Sequence, residues 1–299
     1  MTEKEISKGL SVVVPVYNEA KSVKPVLEKL LNVLDQLDQP FELIVVDDGS
    51  TDGTSDLLKN FSNRIRLIHH RDNYGYGAAL KTGIQHTIHD FVAITDADGT
   101  YPNEDLPLLL AKMETYDMVV GARTGKKVHI PLIRRPAKWL LNKLANYLVE
   151  SVIPDLNSGF RIFRKEIAKK YLHILPNRFS FTTTITLAMI SDGHRVHYEA
   201  INYNRREGKS KIQPSDVLGF LMLIIRTITY FNPLRFFLPF SLALFGLGVV
   251  RFCYDAFWLQ NLTDSTTLLF LFALQVGLIG IVADLIVKRS GAQKSKGEG

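Results

Sequence analysis

The sequence predicts an α/β fold: a mostly parallel sheet with helices on both faces, then a membrane-surface helix and two membrane-crossing helices. Three observations predict it. Short β-branched runs alternate with stretches of helical spacing over the first two thirds of the chain. Polar clusters recur at the C-terminal ends of those runs. After about residue 213 the chain turns apolar over lengths that match a bilayer.

Taken in order, "LSVVVPVY" reads as a buried strand, and "SVKPVLEKLLNVLDQL" places Val26, Leu30, Leu34 and Leu37 at helical spacing. "FELIVVDD" is a second strand, ending in acids. "IRLIHH", "FVAITDAD" and "DMVVGAR" are further strands, with helices at "GYGAALKTGIQHTI" and "EDLPLLLAKMETY" between them. In open α/β sheets ligands bind beyond the C-terminal ends of the strands. Tyr17-Asn18-Glu19, Asp47-Asp48-Gly49-Ser50 and Asp96-Ala97-Asp98 fall there.

"PSDVLGFLMLIIRTITYF" is apolar but interrupted by Arg226 and closed by "NPLR", which fits a helix lying in the membrane interface. The runs from about Phe236 to Trp258 and from about Thr266 to Val287 are long enough to span. Arg235 precedes them, Lys288 and Arg289 follow, and the connection "LQNLTDSTT" has no Lys or Arg. The positive-inside rule then expects a multi-pass protein of a cytoplasmic (inner or ER) membrane, its large domain facing the cytoplasm. Arg251 and Asp284 interrupt the spans and are expected to snorkel to the interface. The expected division is a domain at 1–212, an interfacial helix at 213–234, a two-helix hairpin at 235–290 and a disordered basic tail at 291–299.

With 299 residues, 46% of them hydrophobic, the chain can bury a sizeable core. Its net charge of +6 gathers partly in the tail, beside an apolar run, and no stretch interleaves aromatics with basic residues as nucleic-acid binders do. The single cysteine, Cys253, sits in an apolar segment and excludes an internal disulfide. The N-terminal "MTEKEISKGL" has no apolar leader segment, so the first domain is expected to stay in the cytoplasm. His86 and His89 lie one turn apart on an expected helix and read as exposed histidines rather than a zinc site. His69 and His70 end a strand and receive no role.

Each acidic cluster alone is explained by helix capping and turn formation. Two strand ends in one sheet that both finish in paired acids point further. Close carboxylates repel, a divalent cation offsets the repulsion, and hard oxygen ligands select Mg²⁺ or Mn²⁺.

"VVVPVYNE", "VVDDGSTDGT", "NYGYGAALKTG", "DADGTYP", "VGAR" and "DLNSGFRIF" occur in the order seen in family 2 glycosyltransferases of the GT-A fold. "RREGKSKI" and "NPLR" narrow the resemblance to polyprenyl-phosphate glycosyltransferases, the branch of dolichol-phosphate mannose synthase and undecaprenyl-phosphate glucosyltransferase. The resemblance implies inverting sugar transfer from a GDP- or UDP-sugar to a polyprenyl phosphate, dolichyl or undecaprenyl. It implies that Pro15, Tyr17, Glu19, Asp47, Asp48, Gly75, Gly77 and Lys81 bind the donor, and that Asp96 and Asp98 coordinate Mg²⁺ or Mn²⁺ on its diphosphate. Better-known members carry Gln two residues after the second acid; here Thr100 stands there, as a hydroxyl ligand or beside a water.

An acceptor phosphate is already anionic at pH 7, so it needs charge neutralisation more than a strong base, and arginine's planar fork suits that task. Arg123, Arg134, Arg135, Lys138, Arg205 or Arg206, and Ser210 are the candidates. Two other readings stand beside this one: transfer to a polysaccharide or lipid glycan, and an inactive, membrane-tethered nucleotide-sugar-binding scaffold. The first usually comes with a "QxxRW" segment and more spans, both absent here. A homo-oligomer is compatible with the paired spans, and no nucleic-acid partner is expected.

Overall fold

The structure is a computed structural model and describes residues 9–124, 143, 146, 152–178, 180–204 and 233–296. The chain forms two compact units, residues 1–142 with 151–217, and residues 143–150 with 218–299.

The first unit runs β1 (Leu10–Val16), α1 (Val23–Leu34), β2 (Phe41–Asp47), α2 (Thr54–Lys59), β3 (Arg66–His69), α3 (Tyr76–Gln85) and β4 (Phe91–Ile94). It continues with α4 (Leu106–Lys112), β5 (Met118–Ala122), β6 (Arg161–Arg164), α5 (Lys165–Tyr171), α6 (Phe181–Ser191) and β7 (Val196–Ala200). The seven strands form one sheet in the order β3-β2-β1-β4-β6-β5-β7. Only β6 runs against its neighbours β4 and β5; the other pairs are parallel. The sheet is therefore mostly parallel, as the alternation of strands and helices predicts.

Strand periodicity places successive side chains on opposite faces. Val12, Val14, Leu43 and Val45 pack with Leu27, Leu30, Leu31 and Leu34 of α1 on one face. Val13 and Val46 point the other way and meet α3 at Gly83, where a Cβ would lie 2.3 Å from Val13 Cγ1. Pro15 lies within β1 but beyond the four residues that pair with β4, so its missing N–H costs no bond on that side. The elements without a clear sequence signal are β6, α5, α6 and β7. Strand β6 is only four residues long and charged at both ends, and β7 is half-buried throughout.

Parallel order brings the C-terminal ends of β3, β2, β1 and β4 to one edge, together with the loops after them. The order steps outward in both directions from β1, towards β2 on one side and β4 on the other. That reversal opens the crevice in which such sheets hold ligands.

The second unit contains α7 (Pro233–Tyr254), a π-helical turn (Asp255–Leu259) and α8 (Asp264–Lys296). The segments Pro233–Leu259 and Asp264–Val287 are long and apolar enough to cross a membrane, and only 6% and 17% of their most apolar windows are buried. Helix α8 runs on through Lys296, so residues 291–296 are helical rather than disordered; an established helix extends at one hydrogen bond per residue. The interfacial segment 213–232 lies outside the described residues.

The ionisable residues of the hairpin depart from expectation. Asp255, absent from the sequence reading, is fully buried. It accepts hydrogen bonds from the Thr263 amide at 2.9 Å, the Thr263 hydroxyl, and the Thr266 hydroxyl at 2.7 Å. Arg251 Nε lies 3.3 Å from Asp255 Oδ1, and its guanidinium stacks over Tyr254. Arg251 is thus paired inside the protein rather than snorkelling, because Asp255 follows one turn later. Asp284 is 8% exposed and does not reach out either. Phe257 and Trp258, 80% and 79% exposed, stand at the turn, as aromatic residues do at a membrane interface. Cys253 is exposed, as a lipid-facing residue is.

Gly83→Ala is expected to overpack the contact between α3 and β1. The cost is about 1–3 kcal/mol, seen as a lower melting temperature with the second unit's helix content unchanged. A melting temperature equal to that of the parent would show that Val13 turns away without cost.

Candidate active site

The loop after β1 is held by the loop after β2. Asn18, in the left-handed region at φ 52°, donates its N–H to Ser50 Oγ and accepts from the Thr51 amide at 2.8 Å. The Glu19 amide donates to Thr54 Oγ1 and the Ala20 amide to Asp52 Oδ2. "PVYNEA" and "DDGSTDGT" therefore brace each other, leaving Tyr17 and Glu19 half-buried at the sheet edge.

Asp47 and Asp48, which the family resemblance places on the donor, are 1% and 2% exposed and hydrogen-bond within the protein. Asp47 accepts from the Ser50 amide at 3.1 Å and the Ser55 hydroxyl, and lies 3.1 Å from His69 Nδ1. Asp48 accepts from the Tyr74 and Gly75 amides at 3.0 and 2.8 Å, and lies 2.7 Å from His70 Nδ1. His70 Nε2 reaches Thr82 Oγ1 of α3 at 2.9 Å. The two histidines that the sequence reading left without a role therefore tie β3 to β2 and α3. Strand pairing of Asp47 with His69 places them there. His86 caps α3 and is exposed, but His89 is 5% exposed. The helix ends before it, so the expected one-turn pairing on a helix does not form.

The glycine-rich loop packs closely against residues 176–178. Gly75 has φ 104°, and Asn177 O lies 2.7 Å from where its Cβ would stand. At Gly77 the same construction meets Pro176 O at 2.2 Å. The Ala78 amide donates to Asn177 O, and Lys81 Nζ donates to Asn177 Oδ1 at 2.8 Å. These residues seat the 176–178 segment, and their glycines are needed for that close approach. Burial lowers the Lys81 pKa.

Asp96 and Asp98 follow β4 directly and are half-buried. Asp96 Oδ1 accepts from the Tyr76 hydroxyl at 3.0 Å. Asp98 Oδ1 accepts from the Thr100 hydroxyl at 2.6 Å and the Thr100 amide at 3.1 Å. Thr100 is fully buried, and its hydroxyl braces Asp98. Burial, then the Asp96 charge, push the Tyr76 pKa well above the ordinary phenol value, so the hydroxyl keeps its proton and donates. Gly159 lies against this pair: a Cβ there would sit 2.9 Å from Tyr76 Oη and 3.1 Å from Asp96 Oδ2. Its amide donates to Tyr101 Oη at 2.7 Å. Two carboxylates beside a cradle that a side chain would fill fit a hard divalent cation. Among the described residues no cluster of three His, Cys, Asp or Glu forms a metal site, so donor phosphates and water would complete the shell, as Mg²⁺ prefers.

Arg123 follows β5 and pairs in parallel with Asp155, through Nε to Oδ2 at 2.6 Å and Nη2 to Oδ1 at 2.8 Å. Its guanidinium lies over Tyr203, 5.2 Å from the ring centre. Burial opposes the charge, but the Asp155 hydrogen bonds, together with the electrostatic pull of Tyr101, Asp155 and Tyr203, outweigh it and raise the pKa. Arg123 is therefore a fixed, internally paired arginine. Asn157 accepts from Thr183, and Ser158 donates to Gly121 O at 2.6 Å. Arg134, Arg135, Lys138, Arg205, Arg206 and Ser210 lie outside the described residues.

Sequence reasoning missed Tyr76, His70 and Arg161. Arg161 is fully buried and donates to Ser158 O, to Thr182 O at 3.1 Å and to Thr186 Oγ1 at 2.7 Å. An arginine opening the short strand "RIFR" was the one available signal for it.

A family model described as "Glycosyl transferase family 2" matches residues 11–172, and one described as "GtrB C-terminal hairpin" matches residues 232–288. Undecaprenyl-phosphate 4-deoxy-4-formamido-L-arabinose transferase of Pseudomonas syringae is 30% identical over 84% of this chain and 77% of its own length. Dodecaprenyl-phosphate galacturonate synthase of Rhizobium johnstonii is 26% identical over 94% of this chain and 88% of its own. Among solved structures, glucosyl-3-phosphoglycerate synthase of Mycobacterium tuberculosis, in complex with Mn²⁺, UDP and phosphoglyceric acid, has a TM-score of 0.57 at 20% identity. That match covers 76% of this chain and 81% of that one. S. aureus TarS has a TM-score of 0.52 at 22% identity over 73% of this chain and 65% of that one, just under two thirds of its length. These structural likenesses speak for the fold. The family model spans more than half of the sequence, and the acids it encloses lie at the ligand-binding edge of the sheet: the chain belongs to glycosyl transferase family 2.

Proposed function

We propose that this glycosyltransferase moves a sugar from a nucleoside-diphosphate sugar to a polyprenyl phosphate at the cytoplasmic face of a membrane. The observation that carries the reading is the half-buried pair Asp96 and Asp98 at the switch point of a family 2 sheet, in a chain that continues into an apolar hairpin. The relatives' names supply the acceptor class: one is an undecaprenyl-phosphate transferase, the other a dodecaprenyl-phosphate synthase. The donor is a GDP- or UDP-sugar.

The braced loops after β1 and β2 form the donor side, with Tyr17 and Glu19 at its surface and Asp47 and Asp48 as its internal frame. Asp96 and Asp98 would hold Mg²⁺ or Mn²⁺, which supplies electrostatic stabilisation of the departing diphosphate. Arg123, oriented by Asp155 and stacked on Tyr203, presents a cation of fixed plane to the acceptor phosphate. Arg134, Arg135, Lys138, Arg205 or Arg206 and Ser210 complete the acceptor side in this reading. The acceptor oxygen is anionic at neutral pH, so attack with inversion needs no strong base. The positive-inside rule, applied to Arg235, Lys288 and Arg289, sets the hairpin as two spans with both flanks in the cytoplasm. In this reading the apolar segment before the hairpin lies at the membrane surface, where lipid phosphates sit.

Purified protein given labelled nucleotide sugars, Mg²⁺ and a polyprenyl phosphate is expected to form butanol-extractable label. Nucleotide binding without any such label would leave the scaffold reading standing. Asp98→Ala is expected to lower metal-dependent turnover by about 100-fold or more with the fold retained; full activity, or full activity of the parent in EDTA, would make the pair structural. Deletion from about residue 236 onward is expected to release the protein from vesicles in a flotation assay while nucleotide affinity persists. Lost nucleotide binding in a folded truncation would show the two parts to be functionally inseparable.

A further inference from the structure

We infer that Tyr76 and Thr100 are positioning residues which fix each metal-site carboxylate in a one-oxygen binding mode, and thereby select a small octahedral cation over a larger one. The inference rests on the reading of Asp96 and Asp98 as metal ligands. It concerns the two hydroxyls behind them, neither of which is itself a ligand in this arrangement.

Each aspartate has the same oxygen engaged in the same way. Tyr76 Oη donates to Asp96 Oδ1 at 3.0 Å, and Thr100 Oγ1 donates to Asp98 Oδ1 at 2.6 Å, where the Thr100 amide adds a second bond. The donors come from different places. Tyr76 is the first residue of α3, and its neighbour Gly75 is tied by its amide to Asp48. Thr100 comes from the loop that carries the aspartates, fully buried there. Gly159 closes against Tyr76 and Asp96 with no side chain to spare. The Tyr76 hydroxyl thus has little room to swing away from Asp96.

The chemistry follows from the carboxylate's two oxygens. An oxygen that accepts a short O–H bond is a poorer metal donor, so that bond disfavours bidentate binding. Ca²⁺ takes six to eight oxygens and readily uses bidentate carboxylates, whereas Mg²⁺ holds near-ideal octahedral geometry with one oxygen per carboxylate. Two clamped carboxylates suit Mg²⁺ or Mn²⁺ and disfavour Ca²⁺. Outer-shell hydrogen bonds that orient ligands commonly govern metal affinity by about 10–100-fold. Thr100 then serves a different end from an amide side chain at that position: it spends its hydroxyl proton on Asp98.

The test measures Mn²⁺ affinity by electron paramagnetic resonance, with Ca²⁺ as competitor, on the full-length protein in detergent. Tyr76→Phe and Thr100→Val are each expected to weaken Mn²⁺ binding by about 10–100-fold and to narrow the gap between Mn²⁺ and Ca²⁺. Thr100→Ser is expected to restore both. Thermal melting without metal establishes that the variants fold; should Tyr76→Phe fail to melt cooperatively, the Thr100→Val and Thr100→Ser pair decides. Asp98→Asn separates the two levels of the argument. If Asp98→Asn loses Mn²⁺ while Tyr76→Phe and Thr100→Val bind both ions like the parent, the clamp is overturned and the metal site stands. If Asp98→Asn also binds Mn²⁺ like the parent, the metal site falls and the clamp with it. Weakened Mn²⁺ binding with an unchanged preference over Ca²⁺ would likewise overturn selection by binding mode.

Discussion

The buried guanidinium of Arg161 is the constraint on which the catalytic edge depends. It sits with no exposure at the start of the one reversed strand, and its donors go to Ser158 O, Thr182 O and Thr186 Oγ1. A charge taken out of water is tolerated only when its hydrogen bonds are made. Burial lowers its pKa, and the surrounding carbonyl and hydroxyl oxygens hold the charged form in place. One side chain thereby locks the 155–159 loop between β6 and α6. That loop delivers Asp155 to Arg123, and Gly159 to the Asp96 carboxylate.

Around this anchor the site is built mostly from loops that hold one another. Asn18, Ser50, Thr51 and Thr54 stitch the first two strand ends together, and Asp48 organises the approach to α3 through the Tyr74 and Gly75 amides. A polar motif on a strand end can face a ligand or face its neighbours. Here a large part of the polar motif residues faces inward, which keeps the few groups left at the surface in fixed positions before any ligand arrives. Preorganisation of that kind is what electrostatic catalysis needs, since dipoles already aimed require no reorganisation during reaction.

The hairpin obeys a different physics. Its outer faces are apolar and exposed, so its polar groups must be satisfied within the protein. At the turn Asp255 Oδ2 accepts from Thr263 and Thr266, and Oδ1 lies 3.3 Å from Arg251 Nε as an ion pair without a hydrogen bond, while Phe257 and Trp258 are exposed beside it. A rigid polar knot beneath an aromatic rim is well suited to an element that turns at a membrane surface.

The sequence by itself determined the class of the fold and the length and apolar character of the two C-terminal helices. Those properties reside in local periodicity, in run length and in motif order, each of which is visible along the chain. Strands β6 and β7 were not legible, since a four-residue strand and a half-buried edge strand leave no clear alternation. Nor was the division of labour among polar residues. Whether Asp47, Asp48, Lys81 or Thr100 meets a ligand or another part of the protein depends on partners 2 to 96 residues away. Residues distant in sequence become neighbours only when parallel pairing aligns the strand ends, so tertiary structure alone decided which groups each of these side chains meets.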